Sequence, residues 1–148
     1  MDKSTAIIIT GGYLDTGQAK TAHGLIRGTD RFSILAIIDE KNVGKDAGEV
    51  LDRNRRDIPT FASITGFVKN TRQKPRYCII GVATKGGVIP ASLRTQLKEA
   101  LEKGISLVNG LHEYVSDIPE LASLATQKGL EIIDVRKPKK AVDLHFWS

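Results

Sequence analysis

The sequence predicts an α/β fold, a doubly wound parallel sheet of about six strands with helices on both faces. Three observations lead there. The apolar runs are short, β-branched and nearly continuous, as in strands buried on both faces of a parallel sheet. Stretches with helical apolar spacing separate them. Glycine-bearing turns follow two of the buried runs and open helices, as the loops at the carboxyl edge of such a sheet do.

The strands are expected at residues 6–10, 34–38, 79–83, 105–108 and 130–135, with a weaker one at 60–62 after Pro59. Helices are expected at 18–27, 64–70, 91–103 and 119–128. The third carries Leu93, Leu97, Ala100 and Leu101 at helical spacing, with Pro90 at its start and Gly104 past its end. Gly129 stops the last, and Asp117 with Glu120 suggests a capping box at its start. Right-handed crossovers then give the Rossmann-like strand order 3-2-1-4-5-6. Residues 39–56 read as a long polar insertion after the second strand. The expected organisation is a Rossmann-like ligand-binding domain at 1–136 and a linker at 137–148, which carries the apolar pair Phe146-Trp147 just before Ser148.

At 148 residues, with 41% apolar and 26% charged residues, the chain has the length and composition of one ordinary globular domain. No apolar run reaches the roughly 18 to 20 residues of a membrane span, so no membrane association is expected and the cytoplasm is the expected location. The single cysteine, Cys78, lies in an apolar run and reads as a buried hydrophobe. With three histidines, none paired at helical spacing, and no Cys-x-x-Cys, no metal site is expected. The net charge is +5, and Arg136, Lys137, Lys139 and Lys140 make a basic stretch. Aromatics are only 5%, which argues against nucleic acid as a partner and for a small anionic ligand.

Two loops are the candidate site. After the first strand come Gly11, Gly12, Gly17, Lys20 and Thr21; after the buried run at 79–83 come Thr84, Lys85, Gly86 and Gly87. Glycines directly after a strand let backbone amides turn toward an anion, and a lysine in the first helical turn can reach a phosphate. The first loop matches neither G-x-G-x-x-G nor the P-loop spacing. The alternative is that both are tight turns whose glycines serve only positive φ. Asp39 ends the second strand, where a carboxylate can hold ribose hydroxyls. Asn109 and His112 lie past the strand at 105–108, and His112 is the candidate general base.

These loops resemble a known family. The run from Ala19 through Lys20, Thr21, Ala22, His23 and Gly24 to Arg27 is similar to it, as are Gly44-Lys45-Asp46-Ala47-Gly48-Glu49 and Gly81-Val82-Ala83 leading to Gly87. So are Val108-Asn109-Gly110-Leu111-His112-Glu113 and Asp134-Val135-Arg136-Lys137-Pro138. The family was long catalogued as a domain of unknown function, often labelled NAD-dependent epimerase/dehydratase, and later linked to D-glutamate N-acetyltransferase-like proteins. The resemblance implies a Rossmann-like N-terminal domain followed by a C-terminal P-loop domain, a partner this chain does not contain. It carries over no catalytic residue.

The leading expectation is therefore the N-terminal nucleotide- or small-anion-binding domain of a D-glutamate N-acetyltransferase-like protein. Acetyl-CoA or a nucleotide would be its cofactor, and any acetyl transfer would need the C-terminal domain. An NAD(P)-dependent oxidoreductase or epimerase is the second reading; the absent G-x-G-x-x-G and Tyr-x-x-x-Lys make NAD the weaker cofactor. A non-catalytic regulatory or oligomerisation domain is the third. A homo-oligomer is expected on general grounds.

Overall fold

The computed structural model describes residues 3–138. Of the expected linker only residues 137 and 138 fall within that range. The rest of it, with Lys139, Lys140, Phe146 and Trp147, lies outside the described residues.

The chain alternates β1 (Ser4–Ile9), α1 (Lys20–Arg27), β2 (Phe32–Ile38), α2 (Ala47–Asp52), β3 (Thr60–Phe61), α3 (Ile64–Lys69), β4 (Tyr77–Ile80), α4 (Ala91–Glu102), β5 (Ser106–Asn109), α5 (Pro119–Lys128) and β6 (Ile132–Asp134). The six strands form one parallel sheet in the order β3-β2-β1-β4-β5-β6. This is the Rossmann-like order expected from the alternation.

Strand alternation divides the interior in two. Ile7 and Ile9 of β1 join Cys78 and Ile80 of β4 in a core with Phe67 of α3, Leu93 and Leu97 of α4 and Leu121 of α5. Ala6 and Ile8 point the other way, into a core with Leu25 and Ile26 of α1 and Ala47 of α2. Helices α1 and α2 thus cover one face, and α3, α4 and α5 the other. Cys78 is fully buried, and burial pushes its thiol far above the ordinary range, so it packs as a small hydrophobe.

Two local expectations change. The polar insertion contains a helix, α2, capped by Asp46: its carboxylate accepts the Glu49 amide at 3.1 Å. The capping box expected at Asp117 does not form. Ile118 occupies the N-cap of α5, Pro119 begins the helix, and Asp117 belongs to a preceding 3-10 turn, Val115–Asp117.

Candidate functional site

The crossovers reverse between β1 and β4: β1 leads into α1 on one face, and β4 into α4 on the other. The loops leaving these adjacent strands part above the sheet edge, which is where ligands settle in open α/β sheets.

Leaving β1, the amides of Thr10 and Gly11 both donate to the Ile38 carbonyl of β2, at 3.0 and 3.3 Å. The turn this requires runs through positive φ at Gly11 and Gly12, +55° and +96°. Leu14, fully buried, is then tied at both of its polar backbone atoms. Its amide donates to Asp39 Oδ2 at 3.0 Å, and its carbonyl accepts from His23 Nε2 of α1 at 2.6 Å. Thr16 accepts the Gln18 amide at 3.2 Å and starts a 3-10 turn, Gly17–Ala19, that opens α1.

The Gln18 carbonyl accepts from the Ala83 amide at 2.7 Å and joins the two loops. This bridge divides the crevice. On one side lies a cavity of about 550 Å³, lined by Gly17, Lys20, Thr21, Thr84, Gly87 and His112 among others. On the other lies one of about 410 Å³, lined by Gly11, Tyr13, Thr84, Lys85 and Pro90 among others. Gly86 lines the first of these. Gly12 lines neither; it lies beneath the Glu40 and Lys41 side chains.

The loop after β5 closes the first cavity from the far side. Here Gly87 has a steric reason to be glycine. A Cβ on it would stand 2.6 Å from the His112 ring, and its φ is +69°. The Glu113 amide donates to the Gly87 carbonyl at 2.9 Å. Glu113 Oε1 accepts the Ile89 amide at 2.6 Å, and Oε2 pairs with Arg94 at 3.0 Å. The ring of His112 is exposed and, among the described residues, has no hydrogen-bond partner.

Two of the expected ligand residues face inward. Asp39 is fully buried. Its carboxylate accepts from Thr10 Oγ1 at 2.7 Å and from the Leu14 amide, and also from the Lys41 amide and Asn42 Nδ2, each at 3.0 Å. Burial alone would push this carboxyl up, but the four hydrogen bonds outweigh it and hold it below the ordinary range. A carboxylate so engaged has no capacity left for a ribose, so the expected ribose role is replaced by anchoring of the first glycine turn. Asn109 is equally committed: Nδ2 donates to the Glu113 carbonyl at 2.8 Å and to Asp134 at 2.9 Å, and Oδ1 accepts the Leu111 amide at 3.0 Å.

One site residue escaped the reading of loops. Arg136, two positions past β6, lines the same crevice as Lys20. Its Nε donates to the Gly110 carbonyl at 2.7 Å, and its terminal nitrogens make no hydrogen bond among the described residues. Within the sequence it was visible only as part of a basic stretch and of a run that resembles the family, with nothing to place it at the crevice. Lys20, Lys85 and Arg136 have no acidic partner among the described residues. Among those residues, no cluster of three or more His, Cys, Asp or Glu side chains is arranged to hold a metal. No helix among them is long and apolar enough to cross a membrane.

Residues 40–138 match a family model described as a Rossmann-like domain of unknown function, DUF1611_N. A solved DUF1611 family protein from Anabaena variabilis superposes with a TM-score of 0.81 at 34% identity, over 93% of this chain and 38% of that one. Two curated relatives are named D-glutamate N-acetyltransferase. The one from Tritonibacter scottomollicae is 43% identical over 60 residues, 40% of this chain and 18% of that protein. The one from a Pseudoalteromonas species is 33% identical over 63 residues, 43% of this chain and 19% of that protein. The chain thus spans less than half the length of each of these relatives. A homoserine dehydrogenase from S. aureus, at 10% identity and a TM-score of 0.53 over 90% of this chain and 33% of that one, shares the fold alone.

Proposed function

Because the chain belongs to the DUF1611_N family of Rossmann-like domains, we propose that it is the N-terminal ligand-binding module of a D-glutamate N-acetyltransferase-like protein, taking a small anionic ligand between its two glycine loops. The observation that carries this is the crevice of about 550 Å³ at the switch point, with Lys20 and Arg136 on its walls and no carboxylate among the residues that line it. Two unpaired cations facing one cavity repel each other and gain from an anion between them. Arg136, its Nε already held, presents a fork that suits a carboxylate or a phosphate.

In an N-acetyl transfer, acetyl-CoA would supply the acyl group and an amino acid the amine, the thioester C–S bond breaking as the amide C–N bond forms and CoA leaving as its thiol. The chain's own residues would then do two things. Lys20 and Arg136 would hold the anionic group of the ligand. His112, exposed beside Gly87, would accept the proton that the attacking ammonium must lose. The committed state of Asp39 removes the one residue that favoured an NAD-type ribose contact.

The test is calorimetric titration of the chain with pyrophosphate, D-glutamate, acetyl-CoA and NAD. At least one of the first three should bind, and Lys20→Ala and Arg136→Ala should each weaken it by about tenfold or more, as expected for one lost charge-assisted contact. No binding of any anion, or binding indifferent to both substitutions, would overturn the proposal.

A further inference from the structure

We infer that the site does not end at the crevice but continues along the flank of α1, and that the whole takes an extended ligand of the nucleoside diphosphate class with its diphosphate between Lys20 and Arg136. This rests on the anion site proposed above and adds a subsite to it.

A second cavity, of about 650 Å³, lies beside α1 and is lined by Lys3, Gly24, Leu25, Gly28 and Asp30 among others. It is continuous with the crevice: Lys20, Thr21, Gly110 and Arg136 line both. The eight-residue α1 is about 12 Å long. The joined trough therefore runs from His112 past the two junction cations and down the helix. A free phosphate or an amino acid would fill a small part of it.

The distribution of charge orients the occupant. Lys20 and Arg136 stand at the junction, so the ligand's anionic group belongs there, with its uncharged part running along α1. Away from the junction the lining carries one charge of each sign, Asp30 and Lys3, which suits hydroxyl and ring-nitrogen groups and offers a second phosphate no net attraction. A nucleoside diphosphate has this layout, with charge at one end of a polar, uncharged sugar and base. Substituents on its outer phosphate would extend into the crevice toward Thr84 and His112.

Gly24 supports the same reading. It sits inside α1, where glycine is a poor helix former. A Cβ built on it would meet nothing within 4 Å, and its φ is helical, so neither packing nor backbone conformation calls for glycine. What its missing side chain leaves open is the floor of the outer cavity.

That openness also gives a clean test, because a Cβ at position 24 meets no neighbour at an exposed position of the helix, so Gly24→Leu should leave the fold and its thermal midpoint intact. Wild-type chain, Gly24→Leu and Lys20→Ala are each titrated with ADP and with inorganic pyrophosphate. The expected result is that wild type binds ADP more tightly than pyrophosphate. Gly24→Leu should weaken ADP by about tenfold or more and leave pyrophosphate unchanged. Lys20→Ala should weaken both. Equal ADP affinity in wild type and Gly24→Leu overturns the inference, as does pyrophosphate binding with no advantage for ADP. Either result leaves the anion site standing; failure of both ligands to bind wild type overturns the inference, and it removes the anion site as well only when D-glutamate and acetyl-CoA also fail to bind.

Discussion

At the scale of single residues, the carboxylates of this domain bind loops more than they face ligands. Asp39 and Asp134 both lie at strand ends, both are buried, and each accepts hydrogen bonds from a neighbouring loop. From sequence, a strand-end aspartate of this kind and a ribose-binding one look alike. The difference lies in which way the side chain turns, and Thr10, Leu14 and Asn42 decide that through contacts across the sheet edge. Asp39→Ala leaves buried donors without an acceptor and is expected to cost on the order of 3 kcal/mol in chemical denaturation. The same carboxylate sets a pH dependence. Its folded-state pKa is lowered, so its contribution is fully present above the unfolded value of about 3.9 and is lost as pH falls through the folded value. Urea midpoints measured from about pH 6 downward should fall steeply below about pH 4 in wild type and less steeply in Asp39→Asn.

At the scale of elements, two Asp-x-x-Glu patterns show how far local reading reaches. Asp117 to Glu120 precedes a clear apolar helix, yet Pro119 and the 3-10 turn before it move the N-cap to Ile118. Asp46 to Glu49 sits in a polar stretch with glycines, and there the aspartate does cap a helix. The long, apolar elements were legible because burial on both sheet faces leaves a continuous pattern. The short α2 was not, because its order comes from contacts outside its own six residues. Asp46 also accepts the amides of Arg56 at 2.9 Å and Ile58 at 2.8 Å, and Gly48 leaves room for the Asn54 carbonyl, which a Cβ would meet at 2.1 Å. Burial would push the Asp46 carboxyl up, but these amides hold it below the ordinary range. Asp46→Ala is therefore expected to cost about 2 kcal/mol, the upper end for an N-cap, since it also strands the buried Ile58 amide. Hydrogen exchange should rise across residues 44–58, while β1 and β4 amides keep their protection.

At the scale of the whole molecule, the crevice is a meeting of three loops that the sheet order brings together: those after β1, β4 and β5. The two glycine loops were legible because glycine after a buried strand marks a carboxyl edge. Arg136 was not, because its place in the crevice with Lys20 depends on β6 pairing with β5 and on its hydrogen bond to the Gly110 carbonyl. The charge that results is exposed, and the chain carries a net +5. Affinity for an anion should therefore depend on salt. Between about 0.01 M and about 1 M ionic strength the screening length shrinks from roughly 30 Å to roughly 3 Å. Long-range attraction from the remaining positive charge is lost over that range, while direct contacts with Lys20 and Arg136 persist in weaker form. Binding also couples the three loops to stability. A ligand at a hundred times its Kd adds about 2.7 kcal/mol to the folded state. Pyrophosphate at that excess should raise the thermal midpoint of the chain by several degrees in low salt, and by clearly less when the same concentration is used in about 1 M salt. In Arg136→Ala, with affinity about tenfold weaker, the low-salt rise should fall to about half. A midpoint shift that is the same in high and low salt, or unchanged in the variant, would mean that the anion is held by backbone amides of the glycine loops and that the two cations take no part.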